Sequence, residues 1–162
     1  MILDKKQLIN AIIIQLEEEL KNAINSAEMA RLAATDDQSV AETQYDTLGL
    51  EASYLAHGQS ERAELIKRQI EQYQHFSINN FNENDEIDIG CIATLRAIEN
   101  NAELYYFIGP SAGGLKLKFN GIHITLITPQ APVAKELLGK FQLDIITLPG
   151  PRAKQLEIVE IF

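Results

Sequence analysis

Two runs of apolar residues spaced alternately by four and three constrain this chain more than any other feature. The first falls at Ile9, Ile13, Leu16, Leu20, Ala23, Ala27, Ala30 and Ala34. Such spacing is the a/d seam of a heptad-patterned helix. The second reads Tyr45, Leu48, Ala52 and Leu55, then resumes at Ala63, Ile66, Ile70 and Tyr73. Its spacing slips by four residues around Gly58 and Gln59, and a slip of that size relaxes a supercoil, so a bend is expected there. Asp4 is placed to accept the orphan N–H bonds of the first helix. Thr35, Asp36 and Asp37 should end it, since their side chains compete with the backbone and favour turns. Ser39 followed by Glu42 fits a capping box, which predicts a second helix from about Ser39 to Gln74. A short turn between them makes the helices antiparallel neighbours, an arm of roughly 45 Å at 1.5 Å per residue. Alanines in the distal half of the first seam predict closer approach there.

After Tyr73 the period changes. Residues 75–85 are polar and asparagine-rich, as a linker is. Ile87, Ile89, Cys91 and Ala93 then alternate with polar or small residues, followed by a second apolar run over 102–108. Leu115, Leu117 and Phe119 alternate with Lys116 and Lys118; Asn120-Gly121 interrupts; Ile122, Ile124 and Leu126 alternate with His123 and Thr125. Asn-Gly between alternating runs predicts a hairpin, because both turn positions need positive φ. Pro132 opens a short predicted helix and Gly139 closes it. Further strands are predicted over 141–148 and 154–161. The expected fold class is α+β: a coiled-coil hairpin over 1–75, a linker over 76–86, and a mostly antiparallel sheet domain with one short helix over 87–162.

Acidic residues outnumber basic ones 23 to 14, for a net charge of −9. That argues against direct nucleic-acid binding, sequence-specific or otherwise. The single cysteine, Cys91, excludes an intramolecular disulfide and a cysteine-based zinc site, and an alternating apolar setting makes it a small core residue. No stretch reaches the length of a membrane span, and the first residues lack a signal-peptide pattern, so a cytoplasmic protein is expected. The glycines over 109–114 lack P-loop spacing, Ser111 has no nucleophile-elbow context, and His57, His75 and His123 are scattered over three segments. None of these makes an enzyme.

The candidate working end is the turn between the long helices. Asp36, Asp37, Glu42 and Asp46 crowd there, with Tyr45 as a supporting seam residue. Four carboxylates at the end of a long hairpin suit an acidic probe; charge runs elsewhere usually face water.

The two halves together resemble the bacterial Gre (GreA/GreB) transcript-cleavage factors. The segment Ala131-Pro132-Val133-Ala134-Lys135-Glu136-Leu137-Leu138-Gly139-Lys140 is similar to that family's Ser-Pro-Leu-Gly-Arg-Ala-Leu-Leu-Gly-Lys. Asp144, Pro149-Gly150 and Leu156-Glu157-Ile158-Val159-Glu160-Ile161 fall where the family has its Asp, its Pro-Gly turn and a Tyr-Glu-Ile-Val-Glu-Ile ending. Tyr106-Phe107-Ile108-Gly109-Pro110 is similar to a Tyr-x-Ile-Val-Gly-Pro strand end. The likeness spans nearly the whole chain and is firmest from about Ile87 onward. It implies an FKBP-like sheet domain seated at the mouth of RNA polymerase's secondary channel, with partner contacts from Pro132, Lys135, Leu137 and Leu138. It further implies a hairpin that enters the channel, where tip carboxylates help hold a Mg²⁺ shared with the polymerase. Such a factor is a monomer with no cofactor or catalysis of its own, acting through the polymerase's active site.

This chain departs from the family at the tip. The family reads Asp-x-x-Glu-Asn-Ala-Glu-Tyr; aligned on Tyr45, Gln38 stands for the Asp and Ala41 for the first Glu. Asp37 and Glu42 each sit one position away, about 100° around a helix. Transient Mg²⁺ binding through them, cleavage of backtracked RNA, and inhibition all stay open. Two other classes compete: a coiled-coil adaptor that dimerises through its hairpin, and an FKBP-like isomerase or chaperone. The second needs an aromatic-lined proline pocket, in a half with no tryptophan.

Overall fold

A computed structural model of the chain describes residues 4–35, 48–148 and 153–162. They form two compact units: one of residues 12–74, the other of residues 1–11 with 75–162.

The first unit is a helical hairpin. Helix α1 runs Lys5–Thr35 and α2 runs Leu48–Gln74. Asp4 caps α1 as expected, its Oδ1 accepting from the N–H of Lys6 (2.9 Å) and of Gln7 (3.2 Å). All eight positions of the first seam are buried or half-buried. Arg62 lies 3.9 Å from Glu19 across the pair. Ile24, Ala27 and Arg31 share a groove with Ala56, His57 and Ser60. Residue numbers rise on α1 as they fall on α2, so the helices are antiparallel.

The second seam corrects its prediction. Leu55 is 56% exposed, whereas Ala56 and Gln59 turn inward. The inward positions are Ala52, Ala56, Gln59, Ala63, Ile66, Ile70 and Tyr73, a four-three alternation with no slip. α2 accordingly continues through Gly58. The expected interruption is absent because phase, not size, decides which residue faces in, and phase places Ala56 rather than the larger Leu55 in the seam. Alanines from both helices therefore meet over the distal half, which permits close backbone approach and buries little apolar area per turn.

The second unit is built on a six-stranded sheet. In chain order its elements are β1 (Ile92–Ala97), β2 (Glu103–Ile108), β3 (Lys116–Phe119), β4 (Ile122–Ile127), α3 (Pro132–Leu137), β5 (Ile145–Leu148) and β6 (Lys154–Ile161). The strands lie in the order β3-β4-β2-β1-β6-β5. Among the described strands only β2 and β4 pair in parallel. Asn120 (φ +48) and Gly121 (φ +85) form the predicted two-residue turn, joining β3 to β4 with Phe119 opposite Ile122. The α+β class read from the sequence is the class observed.

Two boundaries move. The alternation at Ile87, Ile89 and Cys91 is not strand: a turn carries Cys91 N–H to Asp88 O (3.0 Å), and Gly90 at φ +94 breaks the extended backbone before β1. Likewise 141–144 is a turn, not the start of β5. Asp144 N–H reaches Phe141 O (3.2 Å) and Asp144 Oδ2 accepts from Phe141 N–H (2.9 Å). Leu143 sits in it at φ +74, where such turns favour glycine; the left-handed region costs a leucine roughly 1 kcal/mol.

α3 lays Ala134 and Leu137 on a core of Ile87, Cys91, Leu95, Ile108, Ile146 and Ile158. The first turn of α1 belongs to this unit as well. Lys5 is 7% exposed; its Nζ donates to Asn79 O and lies 4.4 Å from the Phe81 ring centroid. Loss of hydration lowers its pKa from 10.5 to about 8, against an opposing pull from Cys91. Burial raises the Cys91 thiol to about 11, with Lys5 opposing.

Candidate functional site

The sequence points to two regions, the hairpin tip and the α3 segment. Asp36, Asp37, Glu42, Tyr45 and Asp46 all lie outside the described residues, as does the predicted capping box of Ser39 and Glu42. The structure does fix what leads into them. Thr35 closes α1 with its Oγ1 donating to Arg31 O (3.1 Å) and Leu32 O (3.2 Å). α2 resumes at Leu48 and carries Glu51 in its first turn.

Approaching the tip, the hairpin carries large apolar side chains outward. Met29, Leu32, Leu50, Tyr54 and Leu55 are each at least half exposed, while alanines fill the seam. On one side of the hairpin a groove of about 370 Å³ has Ile24, Ala27, Ala56 and Ala63 along it. Two ion pairs also line it: Arg31 with Glu28 (2.8 Å) and Lys67 with Glu64 (2.6 Å). The Arg31 hydrogen bond holds the Glu28 carboxyl below its usual range, and Lys67 does the same for Glu64. Both pairs are solvent-exposed, so water screens them and each adds little to stability. Among the described residues no cluster of His, Cys, Asp or Glu could hold a metal ion.

In the α3 segment, Pro132 and Lys135 are exposed and Leu138 is half-buried. Leu137 is fully buried in the core, so its side chain serves packing and offers no surface. Helical phase separates them: Leu137 shares the inward face with Ala134, three residues back. Leu138 also lines a cavity of about 630 Å³ with Asn80, Phe81, Asp85, Glu86, Ile87, Asp88 and Gly139. The first part of this wall falls in the segment that the sequence marks as linker. Its signal was Phe81, a large apolar residue within a polar run.

Asp144, matched in the sequence to a family aspartate, closes the 141–144 turn. His57, His75 and His123 are all exposed, on α2, after it, and on β4. Cys91 is fully buried, as expected.

No protein-family model matches the chain, and no curated protein does. Among solved structures it is similar to GreA factor homolog 1 (Gfh1) of Thermus thermophilus, at 17% identity over 93% of this chain and 94% of that one, with a TM-score of 0.39. Gfh1 of Thermus aquaticus is 20% identical over 96% and 92% of the two chains, TM-score 0.41. A transcription elongation factor GreA/GreB from Nitrosomonas europaea is 19% identical over 69% and 91%, TM-score 0.37.

Proposed function

We propose that this chain is a regulator that binds RNA polymerase and presents its hairpin to the polymerase's secondary channel. One observation carries the reading: two antiparallel helices with an unbroken seam are joined, from Thr35 to Leu48, by a segment bearing Asp36, Asp37, Glu42 and Asp46. The resemblance over 131–140 and 156–161 supports the same reading. So does the exposure of Pro132 and Lys135, which leaves both available to a partner.

The chemistry follows from the charge. A phosphoryl-transfer centre that uses two metals needs oxygen ligands for the second ion, and hard Mg²⁺ takes carboxylates while keeping several waters. Asp37 and Glu42 would supply such ligands transiently, to an active site that belongs to the polymerase. A carboxylate presented from a neighbouring position would occupy the channel without completing the ion's ligand set, and the outcome would then be inhibition. The large apolar residues outside the distal hairpin, Met29, Leu50, Tyr54 and Leu55, suit contact with protein walls in either case.

The test is a backtracked elongation complex in Mg²⁺, with RNA length and extension followed after the protein is added. Shortened RNA that depends on Asp37 or Glu42 establishes cleavage stimulation. Intact RNA with blocked extension establishes an inhibitor. Neither effect, together with no co-sedimentation with polymerase, removes the proposal and returns the hairpin to the adaptor class.

A further inference from the structure

The two edges of the sheet are finished differently. β3 is one edge, and its outward residues are Lys116 and Lys118, the charged finish that discourages strand pairing. β5 is the other edge; α3 packs on its Ile146 face, and none of its own residues is charged. Its ladder to β6 joins Ile146 to Leu156 and Leu148 to Lys154, and Ile158 N–H bonds Asp144 O two residues earlier. Hydrogen-bonding positions alternate along a strand, so Ile145 and Thr147 turn their N–H and C=O groups away from β6. Among the described residues, no backbone bond beyond the sheet ladder takes them up. Their side chains are exposed too, Ile145 at 58%.

An apolar patch runs into this edge. Phe141 is 40% exposed and Leu143 71%, and they line a cavity of about 400 Å³ with Glu83, Asn84 and Gln142. Leu143 occupies a left-handed backbone position. Folding gains nothing from a leucine there, since the backbone is strained and the side chain faces water. Three large apolar side chains within five residues, beside an open edge, form the kind of surface that receives a strand.

Charge selects the occupant. Glu83 lines the cavity, Asp144 follows Leu143, and Glu157 lies opposite Ile145. The cations nearest in chain or register are Lys140, before Phe141, and Lys154, opposite Leu148. A second copy would set these carboxylates against their own images, in a chain of net charge −9. We infer that β5 and the 141–144 turn form a docking edge for an extended protein segment in which apolar and basic side chains alternate. The apolar side chains would meet Leu143 and Ile145 and the backbone would pair with Ile145 and Thr147, while the basic groups would lie on the other face of the added strand, toward Asp144 and within the negative field of all three carboxylates. The inference stands independently of polymerase binding.

The experiment titrates the full chain into a fluorescein-labelled peptide alternating lysine and valine, with a glutamate–valine peptide as control. Amide exchange at Ile145 and Thr147 is followed by NMR. The lysine–valine peptide should bind in preference, and both amides should exchange more slowly in its presence. Leu143→Gly should weaken binding about tenfold. Thr147→Pro should abolish it while the fold survives, because proline is tolerated where an edge N–H faces solvent; thermal melts check that both variants are folded. Absence of binding, equal binding of the acidic peptide, or indifference to both substitutions would overturn the inference. So would a concentration-dependent dimer in sedimentation that Thr147→Pro removes, which would assign the edge to a second copy.

Discussion

The ammonium of Lys5 sits between a carbonyl and an aromatic face, with little water left around it. Its pKa is about 8 in the folded chain and 10.5 when unperturbed. Between those values the unfolded state holds a proton that the folded state has released, so Lys5 makes stability rise with pH across that window. Cys91 works in the opposite sense. Its thiol stays protonated in the fold to about 11 but ionises near 9 when unperturbed, so it makes stability fall between pH 9 and 11. Lys5→Met should therefore remove a rise that is clearest between pH 8 and 9, at most about 1.4 kcal/mol per pH unit. Denaturant titrations of both proteins at pH 7.5, 8.5 and 9.5 check it. Parallel stability curves would mean that Lys5 keeps a solvated amine.

At the scale of elements, the heptad seam of α2 makes a sharp distinction between adjacent residues. Leu55 faces out and Ala56 faces in. Leu55→Gln should change stability by no more than about 0.5 kcal/mol. Ala56→Gln should cost about 1–3 kcal/mol, because a longer side chain must be forced between close helices. Urea unfolding followed by circular dichroism compares the two, and the reverse order of costs would put Leu55 in the seam. Much of this architecture was legible from the chain. The α1 seam, the Asp4 cap, the Asn120-Gly121 turn and the short helix opened by Pro132 each have a local physical cause that sequence displays. Leu55 departs from the seam that its size suggests, because helical phase and not side-chain size sets which face is covered. Ile87, Ile89 and Cys91 were misplaced because alternation persists through a turn that only the backbone angle of Gly90 reveals. The resemblance names Leu137 among partner contacts, but likeness of sequence does not tell which face of a helix is covered, and Leu137 is buried. The acidic residues proposed to act lie within 36–47, outside the described residues, and the transcription assay tests them by substitution.

At the scale of the whole molecule, the sheet unit is not one stretch of chain. It takes residues 1–11 from one side of the hairpin and 75–162 from the other. Leu8, fully buried, belongs to it. Leu8→Ala should accordingly cost about 2–5 kcal/mol and lower the unfolding transition of the sheet, seen as faster amide exchange in β1 and β2. If exchange quickened only within 12–74, Leu8 would belong energetically to the hairpin. The charge matters at this scale too. Both halves are acidic, with 13 acidic against 7 basic residues over 1–80 and 10 against 7 over 81–162. A partner surface with basic character would attract the chain from a distance, and the association rate should fall steeply with added salt.

The position of β6 has a consequence for how the protein is made. It is the last of the six strands in chain order, yet it pairs with β1 on one side and β5 on the other. While the chain emerges from the ribosome, the hairpin has all its residues early and its contacts are near in sequence. β1 must wait, one edge open, through the synthesis of more than fifty further residues before the strand that covers it arrives. Pairings so distant in sequence form slowly, and an uncovered edge is an invitation to the wrong neighbour. For this protein the vulnerable moment of biogenesis lies in that interval, and a chaperone that shields strand edges would help it most there.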